Sequence, residues 1–356
     1  MNTIIARFAP SPTGLLHLGG VRTALINYII VNQKKKEFPN SKFLLRIEDT
    51  DKKRSKNEYV DNIINGLKWM GINWQDEICF QSERLDRHKE IAFELLKNKH
   101  AFKCICSSEE LEKRRKENLK NNLNIKRICN VCENNEQIQK KKDNFCIRIK
   151  IPDEGTIKIN DKIQNEVEVK NSEIDNFIIL RNDGSPTYML SVVVDDYDMK
   201  VNMIVRGDDH FNNTFRQIHI YNKLNWDIPE YAHLPLIHGS DGSKLSKRHG
   251  ATDIIELKKI GYMPKAIINN LILLGWSPKK ENELIEINEI INSFNINNLS
   301  KSSSIFDYKK LDFFNNYYLQ DKDGFDYFIK FIKNDLIKKN YFIDDENKVK
   351  KIFLAY

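Results

Sequence analysis

Arg7-Phe8-Ala9-Pro10-Ser11-Pro12-Thr13-Gly14-Leu15-Leu16-His17-Leu18-Gly19-Gly20 is the stretch whose reading decides the fold. The residues before it, from Thr3, are apolar or β-branched up to the arginine, as in a buried parallel strand. Two prolines and a glycine then stop the strand. From Gly20 onward Val21, Ala24, Leu25, Tyr28 and Ile29 recur at helical spacing, so His17 and the glycines sit where a strand hands over to a helix. Such a junction favours anions. Helix-terminal N–H groups point outward, and glycines without Cβ let a phosphate approach the backbone. A purely structural turn has the same form, so this stretch alone leaves both readings open.

A second stretch, Lys244-Leu245-Ser246-Lys247-Arg248, follows another apolar run, Ala232 to Ile237. His17-Leu18-Gly19-Gly20 paired with this KLSKR loop resembles the two signatures of class I aminoacyl-tRNA synthetases. The resemblance implies that His17, Gly19, Gly20, Lys244 and Lys247 bind ATP, the imidazole lying at the adenine and phosphates and the lysines neutralising the triphosphate. Leu245 stands where methionine is common in the family.

The length of 356 residues allows two or more domains with full cores. A formal net charge of +7 is compatible with a polyanionic partner, although the general abundance of Lys, Asn and Ile can supply much of it. No hydrophobic run approaches the ~20 residues of a membrane span, and the N-terminus has no basic region followed by a cleavage site. The expectation is a cytoplasmic protein with reduced cysteines, whose clustering then points to metal rather than disulfides.

Phe43 to Asp49 reads as a second strand with Arg46 and Glu48 on one face. Two charges at the end of a buried strand need partners, either a ligand or a structural ion pair. Lys34 to Lys42 reads as a solvated loop, and residues 58–70 and 83–99 as helices. Cys104-Ile-Cys106 and Cys129-Asn-Val-Cys132 flank a charged linker, Glu109 to Lys126, and this spacing can place four thiolates on one tetrahedral zinc ion. Buried, idle cysteines are the alternative. Cys79 and Cys146 fall outside the cluster and read as core. Val192-Val193-Val194 before Asp195-Asp196, and Val201 to Val205 before Arg206, both read as apolar strands ending in charge, the pattern of a parallel sheet with ligands at its carboxyl end. Thr214 to Leu224 reads as the next helix, and the chain beyond Gly250 as helical.

Three features sharpen the resemblance to the glutamyl-tRNA synthetase family over about residues 1–320. Leu-Leu-Arg-Ile-Glu-Asp-Thr-Asp resembles the strand that completes its amino-acid pocket. Ser11 lies where glutaminyl enzymes carry glutamate. Arg7, Ala9, Ser11, Glu48, Tyr188 and Arg206 stand at the family's glutamate-binding positions, which implies Arg7 for the side-chain carboxylate, Arg206 and Tyr188 completing the pocket, and Glu48 for the α-amino group. Physically, a fixed guanidinium suits a free carboxylate and rejects a neutral amide. Some bacterial members carry a zinc site at the cysteines with a histidine near the third; here Cys132 replaces it. Asp208 stands where the family usually has glutamate.

The resemblance implies an α/β fold, a Rossmann-like nucleotide-binding parallel sheet with an inserted acceptor-binding α/β subdomain, followed by an α-helical C-terminal region. The expected division is 1–82 and 191–250 for the two catalytic halves, 83–190 for the insertion, 251–311 for a helical stem-contact domain and 312–356 for the start of a shortened anticodon-binding domain. It implies a glutamate–tRNA ligase using ATP with Mg2+, with structural Zn2+ as a further cofactor. L-glutamate and tRNA(Glu) are the expected partners, tRNA(Gln) stays open as a second acceptor, and a monomer is expected. Two other readings remain at this point: a short paralogue that glutamylates a modified anticodon base, and a non-catalytic tRNA-binding protein.

Overall fold

Apolar, β-branched runs bounded by turn residues form β1 (Ile5–Phe8), β2 (Lys42–Ile47) and β3 (Cys79–Phe80), alternating with helices α1 (Leu18–Lys35), α2 (Asn57–Trp69) and α3 (Leu85–Lys97). Then come β4 (Ala101–Cys104), α4 (Ser108–Lys120), α5 (Glu136–Gln139), β5 (Cys146–Ile149), β6 (Thr156–Asp161), β7 (Asn165–Lys170) and β8 (Ile178–Leu180). The chain returns to the first sheet through α6 (Tyr188–Asp198), β9 (Met203–Gly207), α7 (Phe211–Leu224) and β10 (Glu230–Leu234). It continues as β11 (Ile237–His238), α8 (Ile254–Lys259), α9 (Pro264–Ile272), α10 (Ile287–Ser293), β12 (Ser304–Ile305), α11 (Tyr308–Leu319) and α12 (Lys322–Lys338). This computed structural model describes residues 3–126, 129, 131–250, 252–278, 283–320 and 322–338, and of Lys247, Lys322 and residues 332–338 the backbone alone.

The principal sheet has strand order β10-β9-β1-β2-β3. β9 runs parallel to both β1 and β10, and β2 parallel to β3. Parallel neighbours joined through helices make this the expected Rossmann-like sheet. Smaller antiparallel elements, β4-β5-β8 and the β6–β7 hairpin, lie between β3 and β9 in the chain.

The chain divides into two compact units. The first comprises Met1–Ser11, Leu44–Ser55 and Gln75–Leu234, and the second Pro12–Phe43, Lys56–Trp74 and Pro235–Tyr356. Within the first, one apolar cluster joins Ile91 and Leu95 of α3, Ile147 of β5 and Ile179 of β8 to Val193 and Val194 of α6 and Ile204 of β9. Each such fully buried side chain contributes about 1.5–3 kcal/mol, so the antiparallel elements and the α6–β9 segment share a core. Within the second, the buried Arg22 of α1 donates to the carbonyls of Pro235 (2.8 Å) and Leu274 (2.6 Å). These two charged hydrogen bonds tie the first helix to segments more than two hundred residues away.

Four local expectations change. Val192 to Val194 lie in α6, not in a strand, and all three are buried. A short apolar run has no periodicity that separates a buried strand from a buried helix, and tertiary burial decides. As a result Asp195 and Asp196 project from a helix rather than from a strand end. The charged linker folds as α4, whose start is fixed by a capping box between Ser107 and Glu110. The lysine-rich loop begins only after Lys35, where α1 ends. Cys146 lies opposite Cys104 in the β4–β5 register and packs against the cysteine cluster, while Cys79 is half-buried in β3.

Candidate functional site

The ATP-binding residues expected from the sequence fall in the second unit. His17 is the N-cap of α1, in extended conformation (φ −90°, ψ 162°), and its Nδ1 accepts from Gly20 N at 3.2 Å. The imidazole thereby satisfies one of the helix's orphan donors. A Cβ on Gly19 would come within 3.1 Å of that ring nitrogen, so a glycine keeps the ring seated. His17 also pairs with Asp253 in an antiparallel bridge, flanked by Leu18 N to Thr252 O and Ile254 N to Leu16 O, each 3.0 Å. The Asn62 side chain completes this junction, accepting from Leu16 N at 2.7 Å and donating to Asp253 at 3.3 Å.

Thr252–Ile254 stands only four residues after the KLSKR stretch in the sequence. The loop itself is a hairpin. Lys244 bridges to His238, and Leu245 N donates to Ile237 O at 2.9 Å. At its tip Asp241 accepts from the N–H and hydroxyl of Ser243, which hold its carboxyl below the usual carboxylate range. His249 closes the far side. Its Nδ1 accepts from Ser246 N (3.1 Å), which leaves Nε2–H to donate to Asp241 (3.0 Å). Gly239 is required there, since a Cβ would meet the His249 ring at 2.4 Å. Lys244 is exposed; Lys247 begins the turn Lys247–His249, and its side chain lies outside the described residues.

The residues expected to bind glutamate fall in the first unit. Arg7 at the end of β1 donates through Nε (2.8 Å) and Nη2 (3.2 Å) to Asp196 of α6. Arg46 of β2 donates to the same carboxylate at 2.6 Å and to Glu48 at 3.1 Å. All four side chains are buried, and two cations match two anions. Asp196 is held below the ordinary carboxylate range because both guanidiniums outweigh its burial. Glu48 moves the other way, since burial outweighs Arg46 and Arg7. The carboxyl of Glu48 is thus the less well compensated of the two.

Ala9 and Ser11 lie on the loop after β1, where Pro10 O accepts from Glu48 N at 3.0 Å. Tyr188 opens α6, with its ring 5.3 Å from that of His210. Burial raises its phenol, opposed by the charges of Arg206 and Arg7 and reinforced by Glu48, which places these groups in one field. Arg206 of β9 differs from Arg7 and Arg46. It is buried, yet its partners are neutral: His233 Nε2 (3.1 Å), Thr214 Oγ1 (2.6 Å) and His210 O (3.3 Å). Its Nη1 is buried without a hydrogen-bond partner. Asp196 was read from the sequence only as part of a charged strand end, and Thr214 only as the start of a helix. Their only signal there was chemistry-bearing residues close to recognised ones.

Cys104, Cys106, Cys129 and Cys132 bring their sulfurs within 4.8 Å of one another. Individual separations are 2.9 Å (Cys104 to Cys129), 3.8 Å (Cys106 to Cys129) and 3.4 Å (Cys106 to Cys132). Two sulfurs ~2.3 Å from one tetrahedral zinc lie roughly 3.8 Å apart, the separation of Cys106 and Cys129, and the other two pairs would have to open slightly around such an ion. Arg114 donates to Cys106 Sγ at 3.2 Å. A pocket of about 330 Å³ opens beside Cys129, but its Arg216 and Arg115 are engaged with Asp175 and Glu112.

The profile of the family described as "tRNA synthetases class I (E and Q), catalytic domain" matches residues 3–313. Glutamate–tRNA ligase 2 of Rickettsia akari is 45% identical over 352 residues, 97% of this chain and 73% of that protein. Glutamate–tRNA ligase 1 of Ehrlichia canis is 46% identical over 321 residues, 90% of this chain and 67% of that protein. Among solved structures, a glutamate tRNA ligase from Elizabethkingia meningosepticum, crystallised in complex with its amino acid, superposes with a TM-score of 0.87 at 31% identity, covering 99% of this chain and 77% of the other.

Asp196 is the carboxylate on which two buried guanidiniums depend. Asp196→Asn should therefore destabilise the protein by about 3–5 kcal/mol, the usual cost of breaking a buried pair from one side. Chemical denaturation measures this. A loss under about 1 kcal/mol would show that Arg7 and Arg46 find other partners.

Proposed function

Because the chain belongs to the class I tRNA synthetases of the E and Q type, we propose that it is a glutamate–tRNA ligase, activating L-glutamate with ATP and passing the glutamyl group to the 3′-terminal adenosine of tRNA(Glu). The observation that carries the glutamate assignment is Arg206, a buried guanidinium with neutral partners and an unused Nη1. A buried cation of this kind calls for an anion from outside, and a free substrate carboxylate supplies it where an amide would not.

Arg206, Arg7 and Tyr188 bind the carboxylates of glutamate, Glu48 takes its ammonium, and Ala9 and Ser11 line the loop against it. His17, Gly19, Gly20, Lys244 and Lys247 bind ATP. An oxygen of the glutamate α-carboxylate attacks the α-phosphorus, the bond to pyrophosphate breaks, and glutamyl-adenylate forms. A ribose hydroxyl of the terminal adenosine then attacks the acyl carbon, loses its proton and displaces AMP. No protein nucleophile takes part. The chain's groups act by holding the reactants and by meeting charge that develops on the phosphates, with Lys244 and Lys247 as the cations. Mg2+ accompanying ATP adds to that neutralisation. Cys104, Cys106, Cys129 and Cys132 would hold a zinc ion, which would cross-link the segment between β4 and β5 and supply no step of the reaction. Catalytic halves at 1–82 and 191–250, an acceptor-binding insertion at 83–190, a stem-contact domain at 251–311 and an anticodon-binding start at 312–356 complete the reading, as does a cytoplasmic monomer.

Aminoacylation with labelled glutamate decides the substrate. Label should enter purified tRNA(Glu), and transfer to tRNA(Gln) as well would mark a non-discriminating enzyme; label in neither would refute the proposal. Lys247→Ala should cut ATP–pyrophosphate exchange by roughly 10²–10³-fold with the fold intact, as for loss of one preorganised charge contact. Near-normal exchange would remove Lys247 from the reaction. Metal analysis of protein purified without chelator should find one zinc per chain and none in Cys106→Ser; zinc-free native protein would dispose of the metal centre.

A further inference from the structure

Arg206 and His233 are direct partners in the parallel register of β9 and β10, so their side chains leave the sheet on the same face. Arg206 Nε lies 3.1 Å from His233 Nε2. A guanidinium has five donors and no acceptor, so the imidazole nitrogen facing it must carry the lone pair. That requirement fixes the tautomer: the proton of His233 is on Nδ1. There it meets Asp161 Oδ2 at 2.6 Å, at the end of β6. The Thr214 hydroxyl accepts from Arg206 Nη2 at 2.6 Å and lies 3.1 Å from the same Nε2.

Asp161 is itself fixed. Its Oδ1 accepts from the backbone N–H groups of Ile163 (2.9 Å), Gln164 (2.8 Å) and His233 (3.3 Å), which leaves Oδ2 for the imidazole alone. Both His233 and Asp161 are buried. The ring is enclosed by Tyr231, stacked on it at 5.9 Å, and by the edge of Phe211 at 4.9 Å. The Arg206 guanidinium also lies over the Tyr231 ring, at 5.6 Å.

We propose that Asp161 and His233 are positioning residues for glutamate, Asp161 setting the tautomer with which His233 orients Arg206, so that Nη1 is presented to the substrate carboxylate. This rests on the reading of Arg206 as a glutamate-binding residue. The choice of a histidine has a consequence for charge. An aspartate opposite Arg206 would hold it equally well but cancel its charge, whereas a neutral imidazole orients the guanidinium and leaves the charge for the substrate.

The groups facing His233 are Asp161, Arg206, His210, Thr214 and Tyr231. Burial lowers its affinity for a second proton, Asp161 opposes that, and Arg206 and His210 reinforce it, so the ring is neutral at pH 7 and charges only below the ordinary imidazole range. Once charged, Nε2–H would face Nε–H of Arg206 and the orienting bond would be lost. Glutamate binding by the native chain should therefore weaken as the pH falls below about 6.5.

The test uses ATP–pyrophosphate exchange by the full chain with tRNA(Glu) present, titrating glutamate and ATP separately between about pH 5.5 and 8.5. In Asp161→Asn the amide oxygen is pinned at the Oδ1 position by three N–H donors. Its NH2 then faces Nδ1 and forces the wrong tautomer. Asp161→Asn and His233→Leu should each raise the KM for glutamate by ~10–100-fold, with the KM for ATP changed less than ~2-fold. His233→Gln, whose amide oxygen can accept from Arg206, should recover most of the loss and abolish the acid limb of the glutamate KM profile. An unchanged glutamate KM in Asp161→Asn and His233→Leu would overturn the proposal. So would a parallel rise of both KM values with a lowered melting temperature, which marks a merely structural pair. Failure of the unsubstituted chain to show glutamate-dependent exchange would overturn the ligase reading and this inference with it, and is recognised because it needs no substitution.

Discussion

The carboxylate of Asp196 is the contact on which the first unit depends. It accepts from Arg7 of β1 and Arg46 of β2, and Arg46 also reaches Glu48. Each of these charges taken alone would cost several kcal/mol to bury. As a set of two cations and two anions they are neutral, and the set ties two strands of the parallel sheet to helix α6. Asp195, the next residue on that helix, repeats the device on another side, accepting from Gln81 (2.8 Å) and Arg84 (2.6 Å) and meeting His88 (2.8 Å). Consecutive carboxylates therefore fasten one helix to two different sets of neighbours. Buried apolar packing places α6 approximately, and these directional contacts fix its rotation.

Against that background of matched charge, Arg206 stands out. It is as buried as Arg7, but its neighbours are an imidazole, a hydroxyl and a carbonyl. Among the described residues its hydrogen-bond partners, unlike those of Arg7 and Arg46, include no carboxylate. In the second unit the corresponding device is backbone pairing. His17 is held by Gly20 N and by the bridge to Asp253, and the KLSKR hairpin by Asp241 and His249. Arg7 and Arg206 stand on strand ends and His17 at a helix N-terminus, elements that hold a side chain in place as catalysis by positioning requires.

Much of this was legible in the sequence because it is local. The strand–turn–helix at residues 5–35 is written in a β-branched run, two prolines and an apolar helical period, and the four zinc-type cysteines are written in their spacing. The valines of α6 carry no period in the sequence that separates helix from strand, and all three are buried in the helix. The start of α4 was open to inspection in Ser107 and Glu110, a signature overlooked beneath the charge that surrounds it. Asp161 and His233 could not have been found that way. They lie seventy-two residues apart and meet only once β6, β9 and β10 are assembled.

The resemblance implies Arg7 for the substrate's side-chain carboxylate, and in the proposed function Arg206 shares that task. Arg7 spends two of its donors on Asp196, so most of its charge is already compensated before any ligand arrives. An arginine in that state contributes direction and one remaining fork more than net charge. Arg206 has its net charge intact and one nitrogen unused. For a site that must prefer a carboxylate to an amide, discrimination grows with the uncompensated charge facing the ligand, because an amide leaves that charge buried and unpaired. In the proposed function the neutral partners of Arg206 are therefore as much a part of the selectivity as the guanidinium itself, and a carboxylate introduced beside it would erase the distinction.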